Sequence, residues 1–180
     1  NFFDKEISQI NQLNKITNYL TIVDLEKELN TDIACKQRSV KVYGKADRID
    51  SIENQLRIID YKTGVAEDKE LRLLEFEELR NNGELAKSFQ LLMYGLMYHK
   101  MNTNEHKEIV SGIITFRELS AGLKKVMVNK SEILTKVVLQ EFEKTLIEIL
   151  DELFDSNIAF TQTENLENCE YCSFKNICQR

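Results

Sequence analysis

Proline and tryptophan are absent from this 180-residue sequence, and histidine occurs twice, cysteine four times and glycine six times. No repeat and no low-complexity stretch interrupts it, and with 42% hydrophobic and 30% charged residues the composition is that of a folded protein rather than a disordered chain. No apolar run approaches the roughly 18 to 20 residues that a membrane-spanning helix requires. The opening NFFDKEISQI also lacks the zones of a signal peptide, so a cytoplasmic location with no membrane partner is expected. Positive charge is in short supply as well: 24 Lys and Arg face 30 Asp and Glu, a formal net charge of −6. Coating nucleic acid by charge alone needs a basic face to displace counterions, which argues against that mode. A site built from carboxylates remains open, because such groups lower the net charge themselves and a bound cation reverses the local field.

The length suits one domain with its own core, taken here as residues 1–180 with a cysteine-containing tail over 165–180. The first residue is Asn rather than Met, so the chain is expected to be a C-terminal fragment of a longer protein. Along it, Ile7, Ile10, Leu13 and Ile16 recur at three-residue spacing in a polar stretch from 4 to 17, which predicts a short helix. Tyr19 to Leu25 reads as a strand, followed by clearer strands at about 39–50 (SVKVYGKADRID) and 55–62 (QLRIIDYK). The acidic, leucine-rich segment 67–82 is expected to form a surface helix or lid-like excursion. Residues 85–101 predict a helix, 109–119 an apolar strand, and 129–154 the longest helix, with Ile133, Val137, Leu146, Ile149 and Leu153 facing inward. The fold class is therefore α/β, a mixed α+β arrangement of helix, three strands, helix, strand and helix.

Placing Glu53 and Asn54 in a two-residue hairpin loop fixes a register. Asp50 then lies opposite Arg57, Ile49 opposite Ile58, and Asp47 opposite Asp60. Lys62 shares a strand face with Asp60, because side chains alternate with period two. Two carboxylates and an ammonium thus converge after the apolar run Leu56, Ile58 and Ile59. Charges that follow a strand into a core are rarely left unpaired or without metal. Gly44 and Gly64 bracket the group and permit close backbone approach, while Gln90 and Tyr94 share one face of the following helix. Arg48 and Asp50 fall on the opposite strand face and read as structural. His99 and His106 read as a helix-end and a loop residue.

The strings GKADRID at 44–50, IIDYKTG at 58–64 and QLLMY at 90–94, in that order, resemble the motifs of the PD-(D/E)xK nuclease superfamily, most closely its RecB and AddB branch. The resemblance spans about 40–180 and implies a restriction-endonuclease-like core, a central mixed sheet flanked by helices. It further implies Asp47, Asp60 and the backbone carbonyl of Tyr61 as ligands of Mg²⁺ or Mn²⁺. Lys62 is implied as the group that positions the attacking water, and Gln90 and Tyr94 as residues lining the site. The expected activity is metal-dependent deoxyribonuclease, an exonuclease that processes DNA ends in double-strand break repair with a helicase domain or subunit as partner. A catalytically incompetent DNA-binding or scaffolding module and a stand-alone nuclease of the CRISPR-associated type are the alternatives. The branch also carries a histidine upstream of its first Asp, a position that neither His99 nor His106 can fill because both follow Lys62.

Cys169, Cys172 and Cys178 form C-x₂-C-x₅-C near the end of the sequence, and in a cytosolic chain such spacing argues for metal before disulfide. The arrangement resembles the C-terminal part of the iron-sulfur staple of AddB-type nucleases, which implies a cluster held by four thiolates. Cys35 is the one other cysteine, placed just before the strand of Asp47 rather than far upstream. A tetrahedral zinc site and free thiols in a partly ordered tail are the competing readings.

Overall fold

Side-chain alternation and turn placement carry the chain through a five-stranded mixed sheet, in a computed structural model that describes residues 2–14, 19–52, 55–103, 108–164, 166–170 and 172–179, without the side chains of 9, 13, 14, 167 and 168. In chain order the elements are α1 (Phe2–Asn14), β1 (Leu20–Ala34), β2 (Ser39–Ile52), β3 (Gln55–Lys62), β4 (Arg72–Leu73), α2 (Glu78–Asn81), α3 (Ala86–Met101), β5 (Glu108–Thr115), β6 (Lys124–Lys125), β7 (Met127–Val128) and α4 (Lys136–Leu153). The main sheet runs β1-β2-β3-β5-β6, and β4 pairs with β7 in a separate two-stranded parallel ribbon.

The β2–β3 ladder has the expected register: Ile49 pairs with Ile58 and Asp50 with Arg57. The proposed loop residues Glu53 and Asn54 lie outside the described residues. β3, the middle strand, pairs antiparallel with β2 and parallel with β5, a connection that needs a crossover and receives α3. Strand β5 is buried along nearly its whole length, as a continuous run of Ile and Val suggests. It ends at Thr115 rather than 119, and Gly112 there lets the backbone of β6 approach: a Cβ at Gly112 would meet the Lys124 carbonyl at 2.7 Å.

Helix α3 packs on one face of the sheet, where Leu91, Leu92, Leu96 and Met97 join Leu29, Ile33, Ile49, Leu56, Ile58 and Ile113 in a single core. At ~1.5–3 kcal/mol for each fully buried aliphatic side chain, this layer is the chief source of stability. Helix α4 covers α3 through Leu139, Phe142 and Leu146, with Phe89 edge-on to Phe142 at 5.6 Å between ring centroids. Helix α1 covers the opposite face near β3, where the Phe2 ring meets Tyr61 edge-on.

Several expectations are corrected. Strand β1 runs nine residues beyond Leu25, because an edge strand with one solvated face buries only Leu29 and Ile33 along its length and so carries little hydrophobic signal. Segment 67–82 is not one helix but a 3₁₀ turn (Asp68–Leu71), β4 and the single turn α2, which send Leu71, Leu73 and Phe76 into the core. Helix α4 starts at Lys136 rather than 129: Asn129 and Lys130 have positive φ (46° and 66°), and the Thr135 hydroxyl caps the helix by accepting from the Val138 N–H. Val137 and Leu153, expected inside, are 61% and 50% exposed; Leu139 and Phe142 take those inward places.

Candidate active site

Asp60 and Lys62 stand at the end of β3, on the face that α3 covers. Asp60 is only 4% exposed, and its Oδ2 lies 2.8 Å from the Lys62 Nζ. The contact is an ion pair by distance but lacks the direction of a hydrogen bond, so Oδ2 is a buried oxygen with a lone pair to spare. Oδ1 accepts from the Gln90 amide at 3.3 Å. Gln90 reaches both partners at once: its Oε1 accepts from Lys62 Nζ at 3.2 Å and its Nε2 also donates to the Tyr94 hydroxyl at 2.8 Å. One turn of α3 separates Gln90 from Tyr94, so the helix presents them as a pair.

Asp47, half-buried on β2, enters from the neighbouring strand. The paired ladder stops one step short of it, at Arg48 and Ile59, and the Asp47 Oδ2 instead accepts the Tyr61 N–H at 2.7 Å. The carboxylate thus closes the end of the ladder in place of a backbone carbonyl. On the other side, the β1–β2 ladder keeps one register from Leu25–Arg48 to Lys27–Ala46 but has no pair between them, and Glu26, abreast of Asp47, has a positive φ of 53°; the register shift itself lies between Ile22 and Asp24. This local irregularity resets the strand faces. Gly44 backs onto Tyr94 of α3, with 2.8 Å from its would-be Cβ to the ring, and Ile49 joins the same core although five positions, an odd step, separate the two. A sequence read with strict two-residue alternation has no signal for it.

Burial pushes the Asp60 carboxyl above the ordinary carboxylate range; the Lys62 ammonium opposes this, and the nearby Asp47 charge adds to it. Burial likewise raises the Tyr94 hydroxyl, with Gln90 opposing. Two carboxylates that feel each other's charge are oxygen donors of the kind that could hold a divalent cation.

Behind the site, on the α1 side, lies a charge network that only partly showed in the sequence. Asp50 is fully buried and accepts from Arg57 Nε (2.6 Å) and Nη2 (2.8 Å) and from Arg48 Nε (2.7 Å). Arg48 also donates to Glu6 of α1 at 2.6 Å and to the Tyr61 hydroxyl at 3.4 Å. Burial alone would lower the Arg48 pKa, but its bonds to Glu6 and Tyr61 and the Asp50 charge hold it above the usual arginine range. The structural role expected of Arg48 and Asp50 is what these contacts describe, whereas Glu6 had no signal beyond being a polar position on an amphipathic helix.

The chain therefore joins Asp60, Lys62, Gln90 and Tyr94 through hydrogen bonds and an ion pair, with Asp47 held on the Tyr61 N–H close enough for its charge to act on Asp60. The model of the PD-(D/E)XK nuclease superfamily matches residues 3–179. The chain belongs to that superfamily. A PD-(D/E)XK nuclease domain is thus the frame in which the central mixed sheet and its flanking helices belong. A crystal structure of SSO0001 is similar over 98% of this chain and 67% of that one, at 18% identity and a TM-score of 0.46.

The remaining sequence-predicted residues lie elsewhere. His99 is half-buried in the last turn of α3, and His106 is outside the described residues. Cys35 is half-buried in the turn between β1 and β2, its thiol raised by burial above its ordinary value. Cys169, Cys172 and Cys178 are half-buried thiols in the tail, where the Phe174 N–H meets Cys172 Sγ at 3.4 Å. Among the described residues, no three His, Cys, Asp or Glu side chains gather as a metal-ligand set, at the tail or at the Asp47–Asp60 pair.

Proposed function

We propose that this domain hydrolyses phosphodiester bonds of DNA with a divalent cation, Mg²⁺ or Mn²⁺, held by the Asp47 and Asp60 carboxylates and the Tyr61 carbonyl. The observation that carries the reading is the buried Asp60 carboxylate, ion-paired with Lys62 at 2.8 Å and raised above the ordinary carboxylate range by burial and by the charge of a second carboxylate, Asp47, which a bound cation would offset. The cation, when bound, polarises the scissile phosphate and acidifies a water. Lys62 orients the attacking oxygen and offsets the charge that builds on the phosphate in the transition state. Gln90 fixes the Lys62 ammonium from one side, and Tyr94, hydrogen-bonded to Gln90, fixes Gln90. The backbone N–H of Tyr61 holds the Asp47 carboxylate at the end of β3, where its charge acts on Asp60.

The finer assignment is an exonuclease acting at DNA ends in double-strand break repair, working with a helicase domain or subunit. Its support is the ordered set of motifs around Asp47, Asp60–Lys62 and Gln90–Tyr94, whose likeness is strongest to the RecB and AddB branch. The test is degradation of linear against covalently closed circular DNA with Mg²⁺ or Mn²⁺. Cleavage of the linear form alone is expected. Asp60→Ala and Lys62→Ala should each lower the rate by about 100-fold or more, with circular dichroism unchanged. Undiminished cleavage in either folded variant overturns the assignment, and metal-independent DNA binding without cleavage supports the scaffolding alternative instead.

A further inference from the structure

The residue between Asp60 and Lys62 faces the other way. Tyr61 turns its ring to the α1 side of the sheet and lies nearly parallel to Phe116, 5.7 Å between centroids with 23° between planes. Phe2 of α1 meets both rings edge-on, at 5.7 Å each, and so fixes them from the side. Phe116 is nonetheless 46% exposed, which leaves ring surface open to solvent beyond the part that Tyr61 backs. It follows β5 directly, and its N–H donates to the Lys62 carbonyl at 2.9 Å, so it is tied by one hydrogen bond to the strand end that bears the catalytic lysine. Because β3 and β5 are parallel and Lys62 pairs with Thr115, both strands deliver their last side chains to the same edge of the sheet. Next in sequence comes Arg117, exposed, with no carboxylate within ion-pair distance of it among the described residues. An immobilised open ring beside a free guanidinium matches what a nucleotide offers, a flat base and a phosphate.

We propose that Phe116, backed by Tyr61 and flanked by Arg117, is a stacking subsite for an unpaired base of single-stranded DNA, at the sheet edge where β3 and β5 end and on the face opposite the Asp60–Lys62 pair. The inference rests on the nuclease reading above and narrows it to substrates with an unpaired end. A base inside a duplex already has stacked neighbours on both sides, so its faces are closed to the ring; an unpaired terminal base has one to offer. Arg117 meets the phosphate of the stacked nucleotide, and the Phe116 N–H bond to the Lys62 carbonyl ties the platform to the strand end that carries Lys62, so the DNA strand passes over the sheet edge from one to the other. Tyr61 has two duties in this arrangement: its backbone N–H holds the Asp47 carboxylate and its ring supports the platform.

The experiment is run without metal, in EDTA, so that it reads binding and not cleavage. Wild type, Phe116→Ala, Phe116→Trp and Arg117→Gln are titrated with a 12-nucleotide oligothymidylate carrying one terminal 2-aminopurine, and with a 12-base-pair blunt duplex. Wild type should quench the 2-aminopurine on binding. Phe116→Ala should weaken single-strand affinity about tenfold, the factor for about 1.4 kcal/mol of base stacking, and abolish the quench, while duplex affinity moves less than about twofold. Phe116→Trp should keep both affinity and quench. Arg117→Gln should weaken binding and reduce its salt dependence with the quench retained. Thermal melting of Phe116→Ala confirms a folded protein, and the Trp variant serves in its place if the Ala variant melts early. Absence of quench in the wild type, or equal losses for single strand and duplex, overturns the subsite. Loss of cleavage in Asp60→Ala speaks to the nuclease reading alone, so the two claims fail separately.

Discussion

At the scale of single residues, Asp60 is held in conflict: a strand end that is 4% exposed disfavours its charge, while a lysine 2.8 Å away favours it, and burial is the larger influence. A carboxyl whose folded pKa lies above its unfolded value binds more protons when folded. Stability then falls as pH rises from the unfolded value through the raised folded one, and stays lowered above it. In metal-free protein, Asp60→Asn should therefore melt higher than wild type at neutral pH and lose that advantage below the ordinary carboxylate range, each kcal/mol appearing as about 2–4 °C in Tm. Saturating Mg²⁺ or Mn²⁺ should reverse the order, since only the wild type gains binding energy from the cation. Equal melting of the two proteins at every pH would remove Asp60 as the strained group. Gly44 belongs to the same scale: with no Cβ it lets Tyr94 close on β2, and a methyl there would push the ring that braces Gln90.

At the scale of elements, the hairpin of β2 and β3 holds opposite charges on its two faces for different ends. Toward α3 it presents Asp47, Asp60 and Lys62; toward α1 it buries Arg48, Asp50 and Arg57 with Glu6. The second group balances two guanidiniums with two carboxylates, so removing one partner strands a buried charge. Asp50→Ala should cost about 3–5 kcal/mol, readable as a large drop in Tm, whereas Arg48→Met combined with Asp50→Leu and Arg57→Met should recover part of it. A loss below about 1 kcal/mol for Asp50→Ala would mean that the network is solvated. This hairpin was legible in the sequence because its register follows from one turn and two cross-strand pairs, all local. Helix α3 was legible from its apolar run and strand β5 from its β-branched core. What was not legible depends on contacts far along the chain. Strand β1 has half its positions facing water, the ribbon of β4 and β7 joins residues more than fifty apart, and Glu26 breaks the alternation opposite Asp47. The meeting of Asp60 with Lys62 could be read from spacing; the ring of Tyr61 on Phe116 could not, since nothing local places residue 116 beside residue 61.

For the whole molecule, the distribution of burial separates a rigid body from an appendage. The core collects residues from Leu29 to Leu146, with Leu150 packed at its margin, and every described residue from Asp155 to Gln179 is exposed or half-buried. Phe160, Phe174 and Ile177 are 87%, 66% and 79% exposed, so the tail carries apolar side chains without burying them. Its described hydrogen bonds are mostly within the tail, such as Gln162 to the Cys178 carbonyl at 3.1 Å. A segment that buries no large side chain contributes little to the folding free energy, whatever its local turns. Removal of residues 160–180 from reduced, metal-free protein should thus shift Tm by no more than about 2 °C, under about 1 kcal/mol for a domain of this size. The iron-sulfur reading of Cys169, Cys172 and Cys178 makes the opposite demand on loaded protein. After anaerobic reconstitution with iron and sulfide, the full chain should show cluster absorbance and melt higher than the truncated one, because ligands that bind only the folded state add their binding energy to it. Matching melting curves after reconstitution, with no absorbance, would leave the three thiols as free side chains of a solvated tail.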